Sequence, residues 1–201
     1  SGAENLNYVL YTDESPYKMQ REWLDRLPFD IYSVNVHTGA KRLIGRSYRT
    51  APKWSVNGKW AVMYDPIAQV WNKFDGATGK VVNISDAIGY PMFVESYDKP
   101  APAPAYGIAG WTADGNNVFL YDAYDWWKID LTGERQPECL TKGYGRKHGK
   151  SIRKMTSNID KDVFQKDEKV IVSLWDKDTM DEGVYQLDMK GRLRKLMEGN
   201  Y

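Results

Sequence analysis

The chain has 201 residues, enough for one large domain or two small ones, and 42% hydrophobic with 27% charged residues is ordinary for a globular protein. Lys plus Arg total 28 against 27 Asp plus Glu, a net charge of +1, so nucleic acid and anionic membrane are not the expected partners. A single cysteine, Cys139, rules out an internal disulfide, and no apolar run reaches the length of a membrane span.

No secretory leader opens the chain, and its first residues, SGAENL, resemble a trimmed terminus. The first strand expected is YVLYTDE, from Tyr8. The segment YKMQREWLDRL, Tyr17 to Leu27, has weak helical periodicity and is expected to extend the first hairpin toward DIYSVNVHTGAKRLI, from Asp30. Next come WAVMYDPIAQVWNKFDGATGKVVNI (Trp60 to Ile84), VFLYDAYDWWKIDLTGERQPECL (Val118 to Leu140) and VIVSLWDKDTMDEGVYQLDMKGRLRKL (Val170 to Leu196). Each begins with a strand-length apolar run rich in β-branched and aromatic residues, and the 8 Trp and 14 Tyr suit pleated, half-buried surfaces. Between the second and third units, 85–107 is expected to hold a connection and the next inner strand, with an exposed polyproline-like KPAPAPA.

The four units share one grammar: strand, loop, strand ending near Asp or Asn, Gly turn, strand. The turn glycines Gly39, Gly79, Gly133 and Gly191 lie 40 (79−39), 54 (133−79) and 58 (191−133) residues apart. Two units are preceded by a shared W-[ST]-x-[ND]-G signature, in which Asn57-Gly58 and Asp114-Gly115 mark hairpin reversals. About four antiparallel repeats of this period predict an all-β fold of β-propeller blades, part of a larger propeller, with approximate limits 8–44, 54–84, 111–140 and 164–196. Four unrelated hairpins in a β-sandwich are the alternative. Trp126 and Trp127, adjacent and therefore on opposite sheet faces, are expected to pack against the two neighbouring blades.

Groups able to do chemistry are few, and the expected catalytic, cofactor and metal residues are none. His37 sits in a hairpin turn, His148 in a Gly/Lys-rich loop, and neither stands near a GxSxG elbow, which is absent. One Cys with two distant His makes no zinc set, and Cys139 is expected to be a small buried thiol on a strand. The acids of DKDTMDEG, Asp176 to Gly183, break the EF-hand pattern at Met180 and suit a solvated hairpin loop. The basic GYGRKHGKSIRK, Gly143 to Lys154, lacks the spacing of a phosphate loop and is expected to be a solvated inter-blade loop rather than a nucleic-acid patch. NIS at Asn83 is a glycosylation sequon in a host that uses it.

The runs YGIAGWTADGNNVFLYDAYDWWKIDLTG and LTKGYGRKHGKSIRKM, together with APKWSVNGKWAVMYD and VSLWDKDTMDEGVYQLD, resemble the propeller region of bacterial prolyl-oligopeptidase-type (dipeptidyl-peptidase-like) serine peptidases. The resemblance covers about Tyr8 to Leu196. It implies a propeller lying over a C-terminal α/β-hydrolase domain of the parent chain, a peptide substrate, and a periplasmic or secreted location. The GxSxG elbow and distal His of such enzymes have no counterpart here. Glu14 and Glu95 are single acids, not the paired glutamates of the dipeptidase branch, so no family site residue transfers. What the resemblance implies is therefore a non-catalytic scaffold that gates or positions peptides; the alternative is a stand-alone peptide- or protein-binding module. An open set of blades would also expose apolar faces at its ends and form homo-oligomers through them.

Overall fold

The computed structural model describes residues 6–23, 27–155 and 162–199. It is built from four sheets in chain order. The first holds β1 (Tyr8–Asp13), β2 (Phe29–Asn35) and β3 (Lys41–Tyr48). The second holds β4 (Lys53–Trp54), β5 (Trp60–Asp65), β6 (Val70–Asp75) and β7 (Val81–Asn83). The third runs β8 (Ile108–Thr112), β9 (Asn117–Tyr121), β10 (Trp126–Asp130) and β11 (Glu138–Cys139). The fourth runs β12 (Lys150–Lys154), β14 (Lys169–Asp176), β15 (Glu182–Asp188) and β16 (Leu193–Gly199). Between them, β13 (Val163–Phe164) leaves the fourth sheet and pairs in parallel with β8 of the third. Every other pairing within the sheets is an antiparallel meander, the strand pattern of a propeller blade.

Turn chemistry repeats from blade to blade. At the end of the strand that β1, β5, β9 and β14 represent, a carboxylate accepts the backbone N–H two residues on: Asp13 from Ser15, Asp65 from Ile67, Asp122 from Tyr124 and Asp176 from Asp178, at 2.7–2.9 Å. The following strand ends in the same way at Asn35, Asp75, Asp130 and Asp188, over 2.8–3.0 Å. An Asx turn of this kind reverses the chain with a short polar side chain in place of a backbone partner. The acids in these loops are thereby committed, and the DKDTMDEG segment forms such a hairpin, with Asp176 also taking the Thr179 N–H.

The turn glycines Gly39, Gly79, Gly133 and Gly191 all have positive φ, between 70° and 85°. Gly191 is constrained further, because a Cβ there would collide with the carbonyl oxygen of Leu140 in the preceding blade. Gly39, at φ +71°, meets nothing within 4 Å. Gly39→Ala is therefore expected to cost about 1 kcal/mol from backbone strain alone. Gly191→Ala must also push two blades apart and is expected to cost at least twice that, about 2–3 kcal/mol, by comparison of urea midpoints. Equal costs would show that the blade contact at Gly191 is soft.

Three buried clusters separate the four sheets. One joins Ile31 and Tyr48 of the first sheet to Ala61, Met63 and Phe74 of the second. Another joins Val62, Tyr64 and Trp71 to Trp111, Leu120 and Trp127. The last joins Phe119, Tyr121 and Trp126 to Ile152, Val172, Leu174 and Tyr185. Trp126 and Trp127 thus serve opposite faces of the third sheet, as their adjacency predicts. Among the described residues no buried cluster joins the fourth sheet to the first. Burial follows from this: β5 and β9 are buried at nearly every position, while β1 and β14 alternate between buried or half-buried and exposed residues.

Several local expectations need correction. Residues Ser15–Gln20 form a 3-10 helix with Pro16 in its first turn, where the hairpin was expected to continue; residues 24–26 of that stretch lie outside the described set. The inner strand expected within 85–107 begins only at Ile108; the stretch itself holds a 3-10 turn (Asp86–Ile88) and a Phe93–Ala105 bridge that closes the proline-rich loop. The GYGRKHGKSIRK segment is not simply a solvated loop. Its first part is one turn of helix, α1 (Tyr144–Lys147), and its second is β12, the inner strand of the fourth sheet, with Ser151 and Ile152 buried.

Candidate binding cleft

The tight turn after β9, Asp122-Ala-Tyr-Asp125, buries two carboxylates, and the segment leading to the fourth blade folds over them. Asp122 and Asp125 are both buried, at 0% and 1% exposure. Two such charges need a full set of partners. Asp122 Oδ1 accepts from the Tyr124 and Asp125 N–H groups, and its Oδ2 accepts from Trp127 Nε1 at 3.1 Å and Arg146 Nη2 at 3.0 Å. Asp125 Oδ1 accepts from Thr141 Oγ1 (2.6 Å) and the Gly145 N–H, and its Oδ2 from the Arg146 N–H.

Two arginines complete the cluster from the segment that sequence alone assigned to solvent. Arg146, on α1, lies over the Tyr90 ring at 3.9 Å and near the Tyr124 ring at 5.1 Å. Burial acts to lower the pKa of this guanidinium, but its hydrogen bond and charge contact with Asp122 outweigh that and hold it above the ordinary value. Arg153, on β12, donates to the carbonyls of Asp122 (2.7 Å), Ala123 (3.1 Å) and Ile152 (2.8 Å) between the rings of Tyr121 and Tyr106. Burial pulls its pKa below the ordinary arginine range.

A cleft of about 470 Å³ opens beside this cluster, walled by Tyr90, Trp127, Cys139, Arg146 and the exposed Lys147. The Cys139 thiol accepts the Gly143 N–H at 3.2 Å, and burial raises its pKa, which suits a packed thiol and not a nucleophile. It is half-buried, on the two-residue strand β11. All four oxygens of these two carboxylates are engaged as acceptors within the cluster. Aromatic walls beside a guanidinium and an ammonium can hold a chain segment.

The remaining candidates lie apart. His37 is exposed in the β2–β3 turn, with Nε2 3.3 Å from Asn7 Oδ1. His148 ends α1, its ring stacked on Tyr144 at 4.1 Å. Glu14 precedes the first 3-10 turn and Glu95 lies in the connection after the second sheet, both exposed. Asn83 is exposed, and its Oδ1 accepts the N–H groups of Ser85 and Asp86. Among the described residues no group of three or more His, Cys, Asp or Glu could hold a metal ion. Nor is any helix among them long and apolar enough to cross a membrane. The Asp122–Arg146 and Asp122–Arg153 pairings escaped the sequence, since they span 24 and 31 residues; the only local signal was two Asp bracketing a turn after an apolar strand.

No protein-family model matches the chain, and no curated protein matches it. Among solved structures it is similar to a protein described as TolB from Agrobacterium tumefaciens, at 14% identity and TM-score 0.46, over 96% of this chain and 63% of that one. It is also similar to TolB from Acinetobacter baumannii, at 14% identity and TM-score 0.44, over 87% of this chain and 39% of that one. A third similarity is to the β-propeller domain of the Trilobed protease from Pyrococcus furiosus, at 14% identity and TM-score 0.46, over 96% and 55%. The chain therefore spans less than two-thirds of each of these structures. Each likeness is distant, and the propeller-type, all-β architecture rests on the four sheets and the three cores between them.

Proposed function

We propose that this chain is the non-catalytic propeller portion of a prolyl-oligopeptidase-type serine peptidase, positioning or gating peptides for a hydrolase domain that the sequence does not include. The observation that supports this reading is where the resembling residues lie. Tyr106 to Gly133 and Leu140 to Met155 supply the third blade, the inner strand of the fourth and most of the charged cluster at their junction. That cluster is spent on rigidity, so the chemistry of such an enzyme would reside elsewhere. A stand-alone peptide- or protein-binding module is the second reading, favoured by the aromatic and cationic walls of the cleft beside Arg146.

The deciding experiment labels lysate of the source organism with a fluorophosphonate probe for active serine hydrolases and detects this segment with an antibody. A labelled, antibody-reactive band several times larger than 23.1 kDa is expected. An unlabelled band near 23.1 kDa would overturn the peptidase reading and leave the binding module.

A further inference from the structure

Neighbouring blades meet differently at two equivalent places. Lys73 on β6 and Lys128 on β10 both stand two residues before the Asp that ends their strand, Asp75 and Asp130. Lys73 reaches across to the third blade and donates to the Leu131 carbonyl at 2.6 Å. Beside it, Asn57 Nδ2 donates to the Asp114 carbonyl at 2.9 Å and to Asn116 Oδ1 at 3.3 Å. The second and third blades are thereby laced together over this face, and Leu131 is fully buried.

On the same face of the junction between the third and fourth blades, the Lys73 and Asn57 contacts have no counterpart among the described residues. Met189 follows Asp188 as Leu131 follows Asp130, but it is only half-buried. The Lys128 side chain makes no hydrogen bond or ion pair among the described residues, although its charge acts on Asp114. Asp114, at the position of Asn57, folds back onto its own turn and accepts from Thr112 Oγ1, the Asn116 N–H and Asn116 Nδ2. A cleft of about 390 Å³ results, with Phe119, Phe164 and Met189 at its floor and Lys128, Arg135 and Lys166 around it.

We propose that this cleft binds an acidic peptide segment, in which carboxylates flank an apolar side chain. The inference goes beyond the peptidase reading and holds whether or not a hydrolase domain accompanies the chain. Three cations face one carboxylate, and that carboxylate already has three donors. The Arg135 and Lys166 side chains also make no hydrogen bond or ion pair among the described residues, so their charges are available to a ligand. Half-buried Met189, above the buried rings of Phe119 and Phe164, offers the apolar contact for a side chain between the carboxylates, and the volume lies within the range of ordinary ligand sites. Nucleic acid suits the site poorly: Phe119 and Phe164 are 1% and 2% exposed, leaving no ring face on which a base could stack.

The test is fluorescence anisotropy with a fluorescein-labelled Glu-Leu-Glu-Phe-Glu peptide, against Lys-Leu-Lys-Phe-Lys. The acidic peptide is expected to bind at least about tenfold tighter, with an affinity that falls as salt rises. Lys128→Gln with Lys166→Gln should weaken it about five- to tenfold, since each exposed charge contact contributes modestly. Arg135→Gln alone should give a smaller loss of the same sign, and Lys80→Gln, on the outer part of the second blade, should change nothing. Equal affinity for both peptides, indifference to the double variant, or displacement by oligothymidine at lower concentration than by unlabelled acidic peptide would each overturn the proposal. The assay reads this cleft alone, so its failure leaves the size and labelling of the native protein as a separate question.

Discussion

Replacing Asp122 with alanine is expected to lower the unfolding free energy by about 3–5 kcal/mol, a large share of the roughly 5–15 kcal/mol that holds an ordinary domain together. The side chain is fully buried and ends four donors: two backbone N–H groups, the Trp127 indole and the Arg146 guanidinium. Alanine leaves all four without their acceptor, two of them in the turn that shapes the third blade. Arg146→Ala should cost clearly less, since the Arg146 side chain is 31% exposed and Asp122 keeps its other three donors. Asp122→Asn separates charge from shape. Its amide can still accept on one side but turns a donor toward the other, so it should recover only part of the loss. Denaturant unfolding of the three variants gives these values directly. A loss below about 1 kcal/mol for Asp122→Ala would mean that the cluster is better solvated than its burial indicates.

The same cluster shows what a single sequence can and cannot reveal. Local chemistry was legible: Asp122, Asp130 and Asp188 each cap a turn within two residues, and such contacts are encoded where they are used. Adjacent Trp126 and Trp127 told of two packed faces because the strand period is two. Contacts that join distant segments were not legible. Arg146 and Arg153 sit in a run of glycines and lysines with every mark of a solvated loop, yet they are held by carbonyls and a carboxylate of the preceding blade. The path of β13 was hidden for the same reason. The repeat pattern starts the fourth unit near 164, but its sheet takes its inner strand from β12, at Lys150–Lys154. β13 instead pairs with β8, where the Trp111 N–H donates to the Asp162 carbonyl and the Ala113 N–H to the Phe164 carbonyl. The 3-10 turn at Ser15–Gln20 shows a further limit, since one short turn has no periodicity to detect.

The isolated chain is expected to self-associate through its first and fourth blades. On the fourth blade, Ile171 and Trp175 are 39% and 37% exposed, on the face of β14 opposite the buried Val172 and Leu174. On the first blade, Val9 and Tyr11 are 45% and 48% exposed. The Tyr11 and Tyr32 rings there lie under Lys41 Nζ at 4.6 and 3.8 Å. The backbone of the first blade is open as well. The second, third and fourth sheets each carry an inner strand (β4, β8 or β12) beside the strand equivalent to β1, whereas among the described residues β1 is itself the sheet edge. The Tyr8 N–H points away from β2, to the Gly76 carbonyl, so alternation turns the backbone groups of Leu10 and Thr12 toward the same open edge. The two end faces differ in residues and shape, so the natural contact is head to tail: the fourth blade of one chain against the first of another. Two chains related by a twofold axis would close a ring of eight blades, within the usual range for propellers, and a contact that fails to close would give longer assemblies. Sedimentation velocity should show species heavier than 23.1 kDa that grow with concentration in the micromolar range. Ile171→Lys together with Trp175→Gln should shift them toward the monomer while leaving the unfolding midpoint nearly unchanged, because both side chains face away from the buried core. A chain that stays at 23.1 kDa throughout, with or without these substitutions, would mean that the exposed faces are too polar at their rims to pair.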